Sequence, residues 1–195
     1  MKKVLILLIV FNLNIFNVYS IEPDIFVQST VNRAADTLGG GLTKDQRMDE
    51  LKKIALDTVD IRGIGFYSLG SHRKTANKEQ IEEYEKAFTE YFLQSFSSRL
   101  AEYSNPIINV DSKKKINENY TIVSSTLAAT DKRPAVKINW RVYTKNKQEP
   151  LIRDLIIEGL SLARTQKEEF NSIILSADGD INVLISKLKN FSNDN

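Results

Sequence analysis

The chain has no cysteine, one histidine, one tryptophan, four prolines and eight glycines in 195 residues. Without cysteine there is no disulfide scaffold, no thiolate zinc or iron–sulfur site and no cysteine nucleophile. With His72 alone, a histidine-rich metal site is excluded as well. Eight scattered glycines exclude collagen-like and linker-like sequence. Charge of one sign is also lacking, with 27 Lys and Arg against 25 Asp and Glu. The first twenty residues hold two lysines and no acid, so the remainder carries 25 of each sign. Such a balance gives no reason to expect nucleic acid or an anionic membrane surface as partner.

What is present is ordinary globular material, 42% hydrophobic and 27% charged. Lys2-Lys3 precede an apolar stretch from Val4 to Val18, broken by Asn12, Asn14 and Asn17. Val18-Tyr19-Ser20 follows, in the position a signal peptidase reads. This predicts a secretory signal peptide over residues 1–20, cleaved after Ser20, and one domain over 21–195. The stretch is short of the roughly 20 apolar residues that a membrane span needs. An exported chain without disulfides holds its fold by packing alone.

The mature chain reads as helices, then strands, then helices. Val27, Val31, Ala34 and Leu38 lie at helical spacing, before a turn at Gly39-Gly40-Gly41. That glycine cluster lacks the Gly-Lys-Ser/Thr of a phosphate loop. Thr43 and Gln46 have capping-box spacing and open a second helix through Met48, Leu51, Ala55 and Val59. A short helix and a turn follow between Asp60 and Gly70. Ile81, Tyr84, Phe88, Tyr91, Phe92, Phe96 and Leu100 then recur at steps of three and four. They define a long amphipathic helix with an aromatic stripe, which reads either as core or as one wall of an apolar pocket.

Asn105-Pro106 ends that helix, and the period changes to two. Ile107–Val110 reads as a short strand and Lys113-Lys114-Lys115 as a solvated turn. Tyr120–Ala129, Val136–Tyr143 and Leu151–Glu158 read as strands joined by short turns, an antiparallel meander. Residues 160–177 and 181–191 return to helix. The fold class is therefore α+β, with four or five strands.

Catalytic chemistry is thin. His72 beside Ser71 is not a catalytic pair and reads as an exposed loop histidine, and no Gly-x-Ser-x-Gly elbow is present. Asp154 and Glu158 would share a face of a strand, as paired carboxylates can, but no supporting motif accompanies them. Asp178-Gly179-Asp180 lacks the rest of a calcium loop. No enzyme, metal or cofactor is implied.

Four stretches carry a resemblance. The first is Asp154-Leu155-Ile156-Ile157-Glu158-Gly159-Leu160-Ser161-Leu162, followed by Phe170. The second is Asp60 with Leu69-Gly70. The third is Lys74-Thr75-Ala76, then Glu79-Gln80 leading to Phe88 and Tyr91. The fourth is Pro134-x-Val136-x-Ile138-x-Trp140-Arg141. In this order they resemble the MlaC, or toluene-tolerance, family of periplasmic phospholipid-binding proteins. The chain departs from the family at Phe66, Arg73 and Pro150, where Arg, Trp and Trp are common. The resemblance implies helices wrapped round a curved antiparallel sheet, with an apolar cavity between them for acyl tails and the headgroup in solvent. It implies a monomeric carrier in the periplasm of a Gram-negative bacterium that maintains outer-membrane lipid asymmetry. Its partners would be phospholipid, an inner-membrane ABC transporter complex and an outer-membrane lipoprotein–porin complex. Face periodicity places Phe66, Leu69, Phe88, Tyr91, Phe92 and Phe96 on one wall of such a cavity. Val136, Ile138, Trp140, Val142, Leu155 and Ile157 form the other. A hopanoid carrier and a non-catalytic interaction module are the alternatives.

Overall fold

The structure, a computed structural model, describes residues 20–131 and 133–193; residues 1–19 of the targeting segment lie outside it. Helix α1 (Pro23–Gly39) starts with proline in its first turn, where the missing N–H has no partner to lose. Helix α2 (Lys44–Thr58) opens on the Thr43–Gln46 capping box, with both reciprocal bonds formed. Helix α3 (Ile61–Leu69) is capped by Asp60, whose side chain accepts from Gly63 N, and a 3₁₀ turn (Gly70–Lys74) follows. Helix α4 (Lys78–Ala101) begins with a second capping box, Asn77–Gln80.

Five strands follow: β1 (Ile108–Asn117), β2 (Tyr120–Leu127), β3 (Val136–Tyr143), β4 (Leu151–Ile157) and the two-residue β5 (Leu160–Ser161). They pair in sequence order and every pairing is antiparallel. Helices α5 (Leu162–Leu175) and α6 (Ile181–Asn193) complete the chain. The fold is α+β, as the residue patterns imply.

One strand is longer than its sequence suggests. Lys113-Lys114-Lys115 is not a turn but the middle of β1, which pairs with β2 as far as Asn117. Irregularities at Asp111 and Ile116 let this edge strand re-aim its side chains. Lys113 reaches Glu22 and Asp24 at the start of α1. Lysines on an edge strand also discourage another chain from pairing there. At the other edge, residues 160–161 form β5 rather than the first turn of α5. Glu158 and Gly159, with φ of 48° and 85°, make the tight turn that folds β5 back on β4.

The face of the sheet turned to the core alternates cleanly. Thr121, Val123, Ser125 and Leu127 of β2 lie opposite Val142, Trp140, Ile138 and Val136 of β3. On β4, Arg153 is an extra residue between Ile152, paired with Val142, and Asp154, paired with Arg141. That bulge shifts the parity, so Leu155 and Ile157 fall beside Trp140 and Ile138. Helix α1 lays Val27 and Val31 on this face.

Candidate functional site

The apolar interior is built as separate bodies. One lies among α3, α4, α5 and α6, with Tyr84, Phe88 and Phe170 at its centre. Their rings meet edge to face, Phe170 standing 6.1 Å from Phe88 and 6.4 Å from Tyr84. Tyr84 Oη donates to Gly65 O at 2.9 Å, and burial pushes its phenol well above the usual value. Gly65 is required there, because a Cβ would stand 2.8 Å from the Phe88 ring.

The second body joins α1 to the sheet through Val27, Val31, Val123, Trp140, Val142 and Ile152. Trp140 Nε1 donates to Ser125 Oγ at 2.8 Å, and Ser125 Oγ donates to Ile138 O at 3.3 Å. The tryptophan's one polar atom is thus satisfied inside the apolar face. A small third cluster, Leu38, Leu51 and Ala101, ties α1, α2 and α4.

Val59 packs against both large bodies. Beside it, Asp60 N donates to Ile152 O at 2.9 Å, and the Asp60 carboxylate holds Arg153 at 2.6 Å. Arg153 also donates to Tyr120 Oη and stacks 3.6 Å from the Tyr143 ring centroid. Burial opposes the Arg153 charge, but the bonds to Tyr120 and Asp60 outweigh it and hold its pKa above the ordinary value. This clasp fixes the start of α3 to the sheet.

Away from that join the residues between the bodies are incompletely covered. Tyr91, Phe92, Leu93, Gln94, Ser95 and Phe96 are all half-buried, and in this half of α4 only the small residues Ser97 and Ala101 are fully covered. On the core-facing side of β4, Leu155 and Ile157 are half-buried too. A helix packed into a core shows a covered stripe with an exposed back; here the stripe itself is left partly bare.

The carboxylate pair suggested by the sequence does not form. Asp154 is buried and accepts from Ser161 Oγ at 2.6 Å and Ala163 N at 3.0 Å, bracing the start of α5. Glu158 sits in the β4–β5 turn and accepts from Lys137 N. The turn at Glu158–Gly159 ends the strand and separates what its periodicity would align. His72 lies half-buried in the 3₁₀ turn rather than free on a loop, its Nε2 2.9 Å from Asn171 Oδ1. Among the described residues no group of three His, Cys, Asp or Glu could hold a metal ion. None of their helices is long and apolar enough to cross a membrane.

The description "MlaC protein" belongs to the family model that matches residues 28–190. This chain belongs to the MlaC family. A relative, the intermembrane phospholipid transport system binding protein MlaC of Haemophilus influenzae, is 28% identical over 137 residues. That match covers 69% of this chain and 63% of the relative, so the chain spans just under two thirds of that protein's length. A solved structure, the phospholipid-binding protein of Ralstonia solanacearum in complex with a phospholipid, is 18% identical with a TM-score of 0.75. It covers 89% of this chain and 98% of its own, and the likeness speaks to the fold.

Within this MlaC fold the twelve residues singled out in the sequence fall into four groups. Leu69, Phe88 and Val142 fill the interiors of the two bodies, at 1%, 2% and 0% exposure. Tyr91 and Phe92 edge the helical body, and Tyr91 Oη donates to Gln166 Oε1. Val136, Ile138, Trp140 and Leu155 belong to the sheet body. Phe66, Phe96 and Ile157 are half-buried. Phe96 stacks on Phe92 at 5.7 Å and 9°, while Phe66 lies under the Arg62 guanidinium. Sequence reasoning missed the roles of Asp60 and Arg153. Asp60 was visible as part of a family motif, but the bulge that aims Arg153 has no signal in residue type.

Proposed function

We propose that the chain is a periplasmic phospholipid carrier, exported by its N-terminal signal peptide. Acyl chains would lie between the helical and sheet bodies. Phe92, Phe96, Val136, Ile138, Trp140, Leu155 and Ile157 would line them, with Phe66 at the margin. Leu69, Phe88, Tyr91 and Val142 would form the packed backing. The observation that carries this reading is the pair of unmerged apolar bodies with bare aromatic and aliphatic residues on both. Family membership supports it, as do the functions that the two relatives' names carry, phospholipid transport and phospholipid binding.

The energetics favour a carrier over free diffusion. Burying a CH₂ is worth about 0.8 kcal/mol, so exposing two long acyl chains to water costs on the order of 20 kcal/mol. Moving them from bilayer to an apolar interior exchanges one dry setting for another. Net transfer is then close to neutral, and loading and unloading partners set the direction. Those partners would be an inner-membrane ABC transporter complex and an outer-membrane lipoprotein–porin complex, served by a monomeric, non-catalytic shuttle. Its role would be to maintain outer-membrane lipid asymmetry.

The test is lipid content after purification and after incubation with phospholipid vesicles. Leu155→Glu, on a half-buried wall position, should leave a folded protein without lipid. A folded Leu155→Glu protein that keeps full lipid content removes Leu155 from the pocket. A parent protein that never takes up lipid defeats the reading and favours an interaction module.

A further inference from the structure

The connection between β2 and β3 carries a guanidinium with an unmet donor. Arg133 is half-buried, and its Nε is shielded from solvent yet has no hydrogen-bond partner. Buried N–H groups are nearly always paired. The backbone there is fixed by reciprocal bonds between Thr130 and Arg133, at 2.9 and 3.2 Å. The side chain lies 4.7 Å over the Tyr103 ring. Nearby carboxylates do not answer the donor. Glu102 pairs with Lys44 at 2.6 Å, Asp111 accepts from Thr126 Oγ1, and no ion pair joins Asp131 to Arg133.

Its place in the fold is specific. Tyr103 lies just past the end of α4, and Arg133 just before β3. Their contact therefore joins the end of α4 to the start of β3. At that end the core-facing row Ser125–Ile138–Ile157–Leu160 runs from buried Ser125 to Leu160, which is 59% exposed. Ala128 N donates to Ile107 O, and Ile107, itself exposed, borders an open cleft of about 440 Å³ with Asp36, Gly39 and Asn105. This end is open, and it holds a guanidinium N–H that no group answers.

We infer that Arg133 receives the phosphodiester of the carried lipid, with Tyr103 as the platform that orients the guanidinium. The planar fork of arginine presents two parallel N–H donors to phosphate oxygens, and a charge-assisted pair at a shielded rim is stronger than a neutral one. The inference rests on the carrier reading above and adds the group of the lipid that is recognised.

The test uses protein from a bacterial periplasm and vesicles of dioleoylphosphatidylglycerol containing dioleoylglycerol, which has the same chains and no phosphate. Wild type should extract the phospholipid in preference. Arg133→Gln should lower phospholipid uptake about tenfold, in line with loss of a charged hydrogen bond, and leave dioleoylglycerol uptake unchanged. Arg133→Lys should recover part of the loss. Equal phospholipid uptake by wild type and Arg133→Gln overturns the inference and leaves the carrier intact. No uptake of either lipid by wild type overturns both. Millimolar inorganic phosphate should leave uptake unchanged. Suppression to the Arg133→Gln level assigns the site to free anions and overturns the lipid assignment.

Discussion

Tyr84 and Phe88, in the first half of α4, are 0% and 2% exposed, whereas Phe92 and Phe96, one and two turns further on, are half-buried. All four belong to one aromatic repeat on one helix. The first pair meets Phe170 of α5 and the close backbone of Gly65 on α3. The second pair stacks on itself, with Phe92 at the margin of the helical body and Phe96 beyond it. The same periodicity thus builds core at one end and, in the carrier reading, a ligand wall at the other. What decides is which element arrives opposite, not the residue type.

That contrast can be tested by substitution. The largest stability effect belongs to Phe88→Ala, which should lower unfolding free energy by about 3–5 kcal/mol in a denaturant titration. Asp154→Ala should follow at roughly 2–3 kcal/mol, because it strands the buried Ala163 N–H and the Ser161 hydroxyl. Tyr84→Phe should cost about 1 kcal/mol at neutral pH by removing the buried bond to Gly65 O. Its pH signature is sharper. Burial raises the Tyr84 phenol above its ordinary value of 10.0. The unfolded chain therefore ionises first, and the stability linked to this group is complete below pH 10 and falls as pH rises beyond it. Tyr84→Phe should flatten that alkaline slope in denaturant midpoints, and an unchanged slope would assign it elsewhere. Phe96→Ala should have the smallest effect on stability, below about 1 kcal/mol, yet a clear effect on lipid content. If Phe96→Ala destabilises as much as Phe88→Ala, both halves of α4 are core and the contrast fails.

Much of this fold was legible in the residues. The Thr43–Gln46 capping box, the α4 stripe and the alternation from Val136 to Val142 each express a local rule, and each element formed where that rule put it. The misreadings share a cause. The lysine run from 113 to 115 has turn-like composition, but pairing with β2 carries it as strand. Asp154 and Glu158 have the spacing of a shared face, but the Glu158–Gly159 turn ends the strand and sends them apart. The residue types of the candidate site could be read from the sequence, whereas its division into two unmerged bodies could not. That division depends on Val59 and the Asp60–Arg153 clasp fixing how α3 meets the sheet, a contact 93 residues apart in sequence.

The most direct test is native mass spectrometry of the mature chain, residues 21–195, purified from a bacterial periplasm with lipid extraction alongside. The account predicts an adduct of phospholipid mass at near one-to-one occupancy. A clean apo mass, with no uptake from added phospholipid vesicles, would contradict it.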